Sequence, residues 1–176
     1  MKKIYTYIYI CAVLVFFGCN ENNDESTTVD DLKINQIQVI GSHNSYRINA
    51  TPEMHGLIAS FQPELSLDLD YGHPSLDVQF SQHGIRQIEI DIFHDPEGGL
   101  FYYQRGNFWV GMPIESGIEE LLNPGLKVLH FPDIDYQTHY YTFIDALQAI
   151  KDWSDQHPNH IPIFVLIEAK DESLSS

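Results

Sequence analysis

Cysteine is scarce in this 176-residue chain and occurs only at Cys11 and Cys19. The sequence from residue 20 to residue 176 contains none. Disulfide bonds, thiolate zinc sites and cysteine nucleophiles all require this side chain. We therefore expect the chemistry of residues 20–176 to depend on other residue types.

Basic residues are also few, since the chain has 9 Lys and Arg against 25 Asp and Glu and a formal net charge of −16 at pH 7. This balance argues against a nucleic-acid partner, because neutralising phosphates requires a basic surface. It argues equally against electrostatic docking on anionic lipid. An acidic chain is compatible with binding a hard cation through carboxylate oxygens, and also with a surface that serves only solubility.

The apolar run at the N-terminus, Ile4–Phe17, is shorter than the roughly 20 residues that a helix needs to span a bilayer. Two lysines precede it, which is typical of a secretory signal. The ending FFGC resembles the lipobox of bacterial lipoproteins, which implies cleavage before Cys19 and lipidation of that residue. An ordinary signal peptide or a short uncleaved anchor is the alternative.

The next stretch, NENNDESTTVDD, is polar and acidic and predicts a flexible tether. We expect a signal peptide at 1–18, the tether at 19–31 and a globular domain at 32–176. The lipoprotein resemblance implies export in a Gram-negative bacterium to the outer membrane, the cell surface or the periplasm. The lipid anchor would then attach the protein to a membrane.

From Leu32 onward, strand-like and helix-like segments alternate. Apolar or alternating stretches predict four strands, at Ile34–Ile40, Arg86–Phe93, Lys127–His130 and Ile161–Glu168. The last, IPIFVLIE, is nearly all apolar and is expected to be buried on both faces. Helical spacing predicts helices at Ser75–His83, ended by Gly84, and at Thr138–Gln156, ended by Pro158. This alternation predicts an α/β fold with a parallel sheet and outer helices, either a barrel or a doubly wound sheet.

Side chains suited to chemistry recur toward the C-terminal ends of these strands. They are His43 and Asn44 in GSHNSY, Glu89 and Asp91 in RQIEIDIF, His130 at the end of KVLH, and Glu168. Active sites of parallel α/β barrels and open sheets form at this end. The sequence therefore predicts that these residues meet in one site.

Each of these residues also has an ordinary interpretation. His43 fits a hydrogen-bonding loop residue, and Asn44 fits a turn cap. Glu89 and Asp91 are two apart and so share one face, which would be the solvent face if the sheet were antiparallel. If they are buried instead, like charges on one face are costly unless a cation neutralises them.

An ordered set of motifs resembles the catalytic half of the calcium-dependent phosphatidylinositol-specific phospholipase C family. The set consists of GSHNSY, then IEIDIF, then a histidine after the third predicted strand, then VLIE, and the resemblance covers roughly residues 34–172. It implies a (β/α)₈ barrel that cleaves a phosphodiester of an inositol phospholipid, or a related one, by acid-base catalysis. In that reaction the 2-hydroxyl of the inositol attacks its own phosphate and diacylglycerol leaves.

Carried onto this chain, the resemblance implies a residue set. His43 and His130 would be catalytic, with His130 preferred as the acid, and Asn44, Glu89, Asp91 and Glu168 would hold Ca²⁺ rather than Mg²⁺. By their position just after His130, Asp133 and Asp135 are candidates to orient it or support the metal. Arg47, Arg86 and Lys170 lie near predicted strand ends and are candidates for phosphate contacts, with surface charge as the alternative. All four metal ligands offer oxygen, which suits Ca²⁺ or Mg²⁺ better than zinc.

A complete (β/α)₈ barrel requires about 250 residues, so the sequence is expected to hold only its N-terminal half. The other half, or self-association, would then cover the open sheet edges. Two other functions remain open. One is an enzyme resembling glycerophosphodiester phosphodiesterases, which usually have His-Arg-Gly where this chain has HNS. The other is an inactive surface lipoprotein or binding module.

Overall fold

The computed structural model describes residues 31–170. The predicted signal peptide, Cys19 and all of the tether except Asp31 lie outside the described residues. The chain divides into two compact units, with the boundary between Gln38 and Val39. Nearly all regular structure of the described residues belongs to the second unit.

The second unit contains five helices and three strands in its described part. They are α1 (Pro52–Phe61), α2 (Pro63–Asp68), α3 (Leu76–Gln82), β1 (Gln87–Asp95), α4 (Arg105–Trp109), β2 (Gly125–Val128), α5 (Phe143–Gln156) and β3 (Phe164–Lys170). A short 3₁₀ turn, Glu119–Leu122, precedes β2. No helix within residues 31–170 is long and apolar enough to cross a membrane.

The three strands form one mixed sheet in the order β2-β1-β3. β1 runs parallel to β3, with Asp91 opposite Glu168. It runs antiparallel to β2, with Ile92 opposite Val128. The prediction of an all-parallel sheet is therefore wrong for β2, because residues 96–124, which include α4 and the 3₁₀ turn, return the chain to β1 in the antiparallel direction.

The first predicted strand, Ile34–Ile40, is wrong in most of its length. Ile34–Gln36 forms a 3₁₀ turn, in which the Gln36 side chain accepts a hydrogen bond from the Lys33 N–H. This local side-chain bond offers the backbone an alternative to a strand ladder. The bridge to β1 comes one residue past the segment, where Gly41 pairs with Gln87 in a single parallel bridge.

The last predicted strand is confirmed in position, but its predicted burial is wrong. Leu166 is 59% exposed and Ile167 is 46% exposed. Among the described strands β3 lies at the sheet edge and pairs only with β1. The apolar sequence of β3 is therefore not a sign that the strand is buried on both faces.

Local signals account for the helix ends. Thr142 Oγ1 accepts a hydrogen bond from Asp145 N, so α5 begins at Phe143 rather than at the predicted Thr138. Gly84 takes a left-handed φ of 66° just past α3, as predicted. The sequence analysis did not predict α1, α2 or α4.

The main apolar core lies on one face of β1. Ile88 and Ile90 are fully buried there against residues of α3 and α5, including Phe80 and Trp153. Because side chains alternate along a strand, Glu89 and Asp91 point to the other face. The packing of the helices thus aims both carboxylates away from the apolar core.

Candidate active site

Three carboxylates meet where β1 lies beside β3. One oxygen from each of Glu89, Asp91 and Glu168 lies within 4.8 Å of the others. Parallel register explains the grouping, since Asp91 pairs with Glu168 and Glu89 lies two residues earlier on the same face. The predicted metal ligands on these two strands therefore come together.

Two of the three carboxylates are buried without adequate partners. Glu89 is 3% exposed and Asp91 is 1% exposed, whereas the Glu168 side chain is 55% exposed. Glu89 Oε1 and both carboxylate oxygens of Asp91 accept no hydrogen bond. Burial raises the pKa of Asp91 to about 7, and the adjacent Glu89 adds to that rise.

Lys170 supplies part of the missing positive charge. Its Nζ donates to Glu168 Oε1 at 2.7 Å and lies 3.4 Å from Asp91 Oδ2. The hydrogen bond from Lys170 lowers the pKa of Glu168, and His43 contributes in the same direction. Three carboxyl groups face one lysine here, and this surplus of acidic oxygen matches an oxygen-binding divalent cation.

The GSHNSY segment closes over Glu89 as a tight turn. Asn44 N donates to Glu89 Oε2 at 2.7 Å, and Ser45 N donates to the Glu89 carbonyl at 3.0 Å. Asn44 has a left-handed φ of 48°, a region in which asparagine is several-fold enriched among non-glycine residues. The turn thus fixes Asn44 against the carboxylates.

His43 is exposed beside this turn and lines an open groove of about 610 Å³ together with Ser42, Tyr71 and His73. His73 Nε2 donates to the His43 carbonyl at 2.8 Å, which holds the backbone of the turn at this residue. Burial lowers the pKa of His73, which favours its neutral form.

His130 is held by a buried pair. Its Nδ1 lies 2.7 Å from Asp135 Oδ2, and the same oxygen accepts from Arg47 Nε at 2.6 Å. Arg47 Nη2 also donates to Asp135 Oδ1 at 2.9 Å. Because an ionised carboxylate only accepts, Nδ1 carries the proton and Nε2 is left to exchange a proton with a substrate. Asp135 thus contacts the His130 ring, as one of its two predicted supporting roles requires, and its role in orienting His130 stays a prediction.

Other predicted contacts lie differently. Arg47 is fully buried and committed to Asp135, so it does not reach the groove. Asp133 accepts from Arg105 N at 2.7 Å at the start of α4 and makes no contact with His130. Arg86 lies at the opposite end of β1, donating to the Phe80 and Ile85 carbonyls over the Trp153 ring. Its placement there follows from strand direction, since it precedes β1.

Two tyrosines belong to the site and were missed by sequence reasoning. Tyr46 Oη donates to Asn44 Oδ1 at 3.2 Å, and Asn44 Nδ2 donates to Tyr71 Oη at 2.7 Å. Tyr46 stands two residues after Asn44 in GSHNSY. A period of two along the chain could therefore have indicated that the two side chains lie on the same side. Tyr71 carries no local signal, because it reaches Asn44 across 27 residues of chain.

Comparison with known proteins bears on the whole of this region. A family model described as Ca²⁺-dependent phosphoinositide phospholipase C matches residues 32–176. No curated protein and no solved structure matched the chain. Since the matched residues form most of the chain and include the carboxylates and both histidines, the protein belongs to the Ca²⁺-dependent phosphoinositide phospholipase C family.

Proposed function

We propose that this protein cleaves the phosphodiester of an inositol phospholipid or a closely related compound, using a carboxylate-bound Ca²⁺ and two histidines. The observation that carries the proposal is the set of buried oxygens on Glu89 and Asp91 that accept no hydrogen bond, placed beside the His43 turn. Such oxygens are destabilising unless a cation or proton satisfies them.

The metal would be held by Glu89, Asp91, Glu168 and the side-chain oxygen of Asn44. These residues fit Ca²⁺ because all donate oxygen and the carboxylates exceed the lysine charge beside them. Bound there, Ca²⁺ supplies Lewis acidity that lowers the pKa of a substrate hydroxyl and offsets negative charge on phosphorus.

The histidines would perform the proton transfers. His43 faces the groove without a fixed carboxylate partner and is assigned as the base that accepts the proton of the inositol 2-hydroxyl. That oxygen attacks phosphorus as the bond to the diacylglycerol oxygen breaks. His130, oriented through Nδ1 by Asp135, delivers a proton from Nε2 to the departing oxygen. The products are a cyclic inositol phosphate and diacylglycerol.

We also propose a wider setting for this site. Residues 32–176 would form the N-terminal half of a (β/α)₈ barrel, which the parallel β1–β3 pairing supports and the antiparallel β2 arm modifies. A lipid at Cys19 would bring the domain to a membrane of the cell envelope, near a phospholipid substrate.

The direct test is ³¹P NMR of the full-length protein acting on phosphatidylinositol in mixed micelles. We expect a cyclic inositol phosphate to form with Ca²⁺ and not after calcium is chelated. His43→Ala and His130→Ala should each lower kcat by about 10²–10⁴-fold. His94→Ala is the matched control, because His94 is an exposed histidine of β1 and should leave the rate unchanged.

Unchanged hydrolysis in both His43→Ala and His130→Ala would show that the catalytic assignment is wrong. Hydrolysis of glycerophosphodiesters without a cyclic product would instead favour the hypothesis that the protein is a glycerophosphodiester phosphodiesterase.

A further inference from the structure

Tyr71 contacts the candidate site in two places, at Asn44 beside the carboxylates and at Arg47 behind His130. Its hydroxyl accepts from Asn44 Nδ2 at 2.7 Å on the metal side. Its ring lies under the Arg47 guanidinium, with Cζ 4.4 Å from the ring centroid. Its backbone carbonyl accepts from Arg47 Nη1, and Arg47 in turn holds Asp135 and His130.

The two tyrosines around Asn44 hold its side-chain amide from both ends. Asn44 Nδ2 can only donate, and it donates to Tyr71; Oδ1 accepts from Tyr46. The backbone N–H of Asn44 donates to Glu89 Oε2, which keeps the residue beside the carboxylates.

Without the Tyr71 hydroxyl, Asn44 Nδ2 would lose its hydrogen bond, and only the Tyr46 contact would remain of the two that hold the amide. A hydroxyl both donates and accepts, so its contribution is to hold the amide in place rather than to select one of its flipped orientations. The Tyr71 hydroxyl thus restrains the side chain of a proposed metal ligand.

We propose that Tyr71 is a positioning residue that sets the Asn44 amide for calcium and, through its ring, braces Arg47 behind His130. The inference rests on the proposed function, because it assumes that the carboxylate cluster binds Ca²⁺. The two parts of the side chain have separate roles. The Tyr71 hydroxyl affects Ca²⁺ affinity, and the Tyr71 ring affects the position of Arg47 behind His130.

The test measures Ca²⁺ affinity by isothermal titration calorimetry on the full-length protein. Tyr71→Phe keeps the ring and removes the hydroxyl, and should weaken Ca²⁺ binding about 10–100-fold, as loss of an outer partner of a metal ligand typically does. The matched control is Tyr102→Phe, which removes a hydroxyl from a tyrosine packed on the Phe93 cluster and should leave affinity unchanged.

A double-mutant cycle shows whether the effect passes through the amide. In an Asn44→Ala background, Tyr71→Phe should cause no further loss of Ca²⁺ affinity. At saturating Ca²⁺, kcat should recover to the wild-type value in Tyr71→Phe and remain reduced in Tyr71→Leu, which also removes the ring beneath Arg47.

Equal Ca²⁺ affinity in wild type and Tyr71→Phe would overturn the inference, and so would an equal loss with and without Asn44. A wild-type protein that binds no Ca²⁺ would refute the metal site of the proposed function itself, and the role of Tyr71 with it. The wild-type titration therefore distinguishes the two failures.

Discussion

Arg47 is the bulkiest fully buried side chain among the described residues, and the site depends on it. Its charge is balanced by Asp135, and its remaining donors meet the carbonyls of Leu69 and Tyr71. A buried ion pair adds little net stability relative to apolar residues, but removing one partner leaves an uncompensated charge. Its role here is to place Asp135 behind His130.

Asp135→Ala should lower the free energy of unfolding by about 3–5 kcal/mol, because it leaves the Arg47 guanidinium buried and unpaired. Arg47→Met combined with Asp135→Ala should lose less than the sum of the single changes. Urea unfolding monitored by fluorescence measures both. Lys151→Ala is the control, since it breaks the exposed Lys151–Asp155 pair and should leave the free energy of unfolding nearly unchanged. Additive losses at Arg47 and Asp135 would contradict the pairing argument.

Short elements carry the loops of the site, and α4 is the clearest case. Gly106 of α4 packs so closely on the His130–Asp135 loop that a Cβ built there would lie 2.1 Å from the Asp133 carbonyl oxygen. The Asp133 carboxylate in turn accepts a hydrogen bond from Arg105 N at the start of α4. Helix and loop therefore support each other, although the loop residue Asp133 touches no catalytic group.

Gly106→Ala should lower the free energy of unfolding by about 1–3 kcal/mol, because the added methyl must displace backbone. It should also reduce kcat, since the displaced loop positions Asp135. Thermal unfolding and the ³¹P assay measure the two effects. In the control Gly56→Ala, the Cβ meets nothing within 4 Å on α1, so helix stability should rise by about 0.5–1 kcal/mol. Equal behaviour of the two variants would show that the close contact is absent in solution.

For the whole molecule, stability depends on pH, because the chain carries a formal charge of −16 and buries two carboxyl groups, Glu89 and Asp91. Asp91 has a native pKa of about 7 against an unfolded value near 3.8. Between these values the folded chain holds a proton that the unfolded chain has released. The Asp91 contribution to stability therefore declines as pH rises from about 4 to about 7 in calcium-free protein.

Calcium-free wild type should lose stability relative to Asp91→Asn as pH rises through that window, because the amide does not titrate. Thermal unfolding of both proteins at a series of pH values measures the difference. Added Ca²⁺ should stabilise the wild type, by about 2.7 kcal/mol at 100 times its Kd, and should leave Asp91→Asn nearly unaffected. A wild-type minus Asp91→Asn difference that is independent of pH would contradict the raised pKa.

The sequence by itself determined the features that depend on local pattern. Alternation placed Glu89 and Asp91 on one face of β1, Gly84 marked the end of α3, and the apolar run before Glu168 located β3. The turn at Asn44 was an alternative that the sequence offered for this residue, although the strand predicted before it is absent from the structure. These features depend on residues that are neighbours along the chain, so period and turn chemistry were sufficient.

Only the tertiary structure decided what long-range packing controls. The prediction that His130 reaches the site rested on parallel strand ends. In the structure β2 is antiparallel and ends at Val128 opposite Ile92, so His130 follows a strand that runs in the opposite direction to β1 and β3. Arg47 was expected at the phosphate and is bound to Asp135 across 88 residues of chain, while Tyr71 gave no sign of its contact with Asn44. Such pairings depend on which buried donor meets which acceptor after the sheet and helices have packed, and no local period encodes that choice.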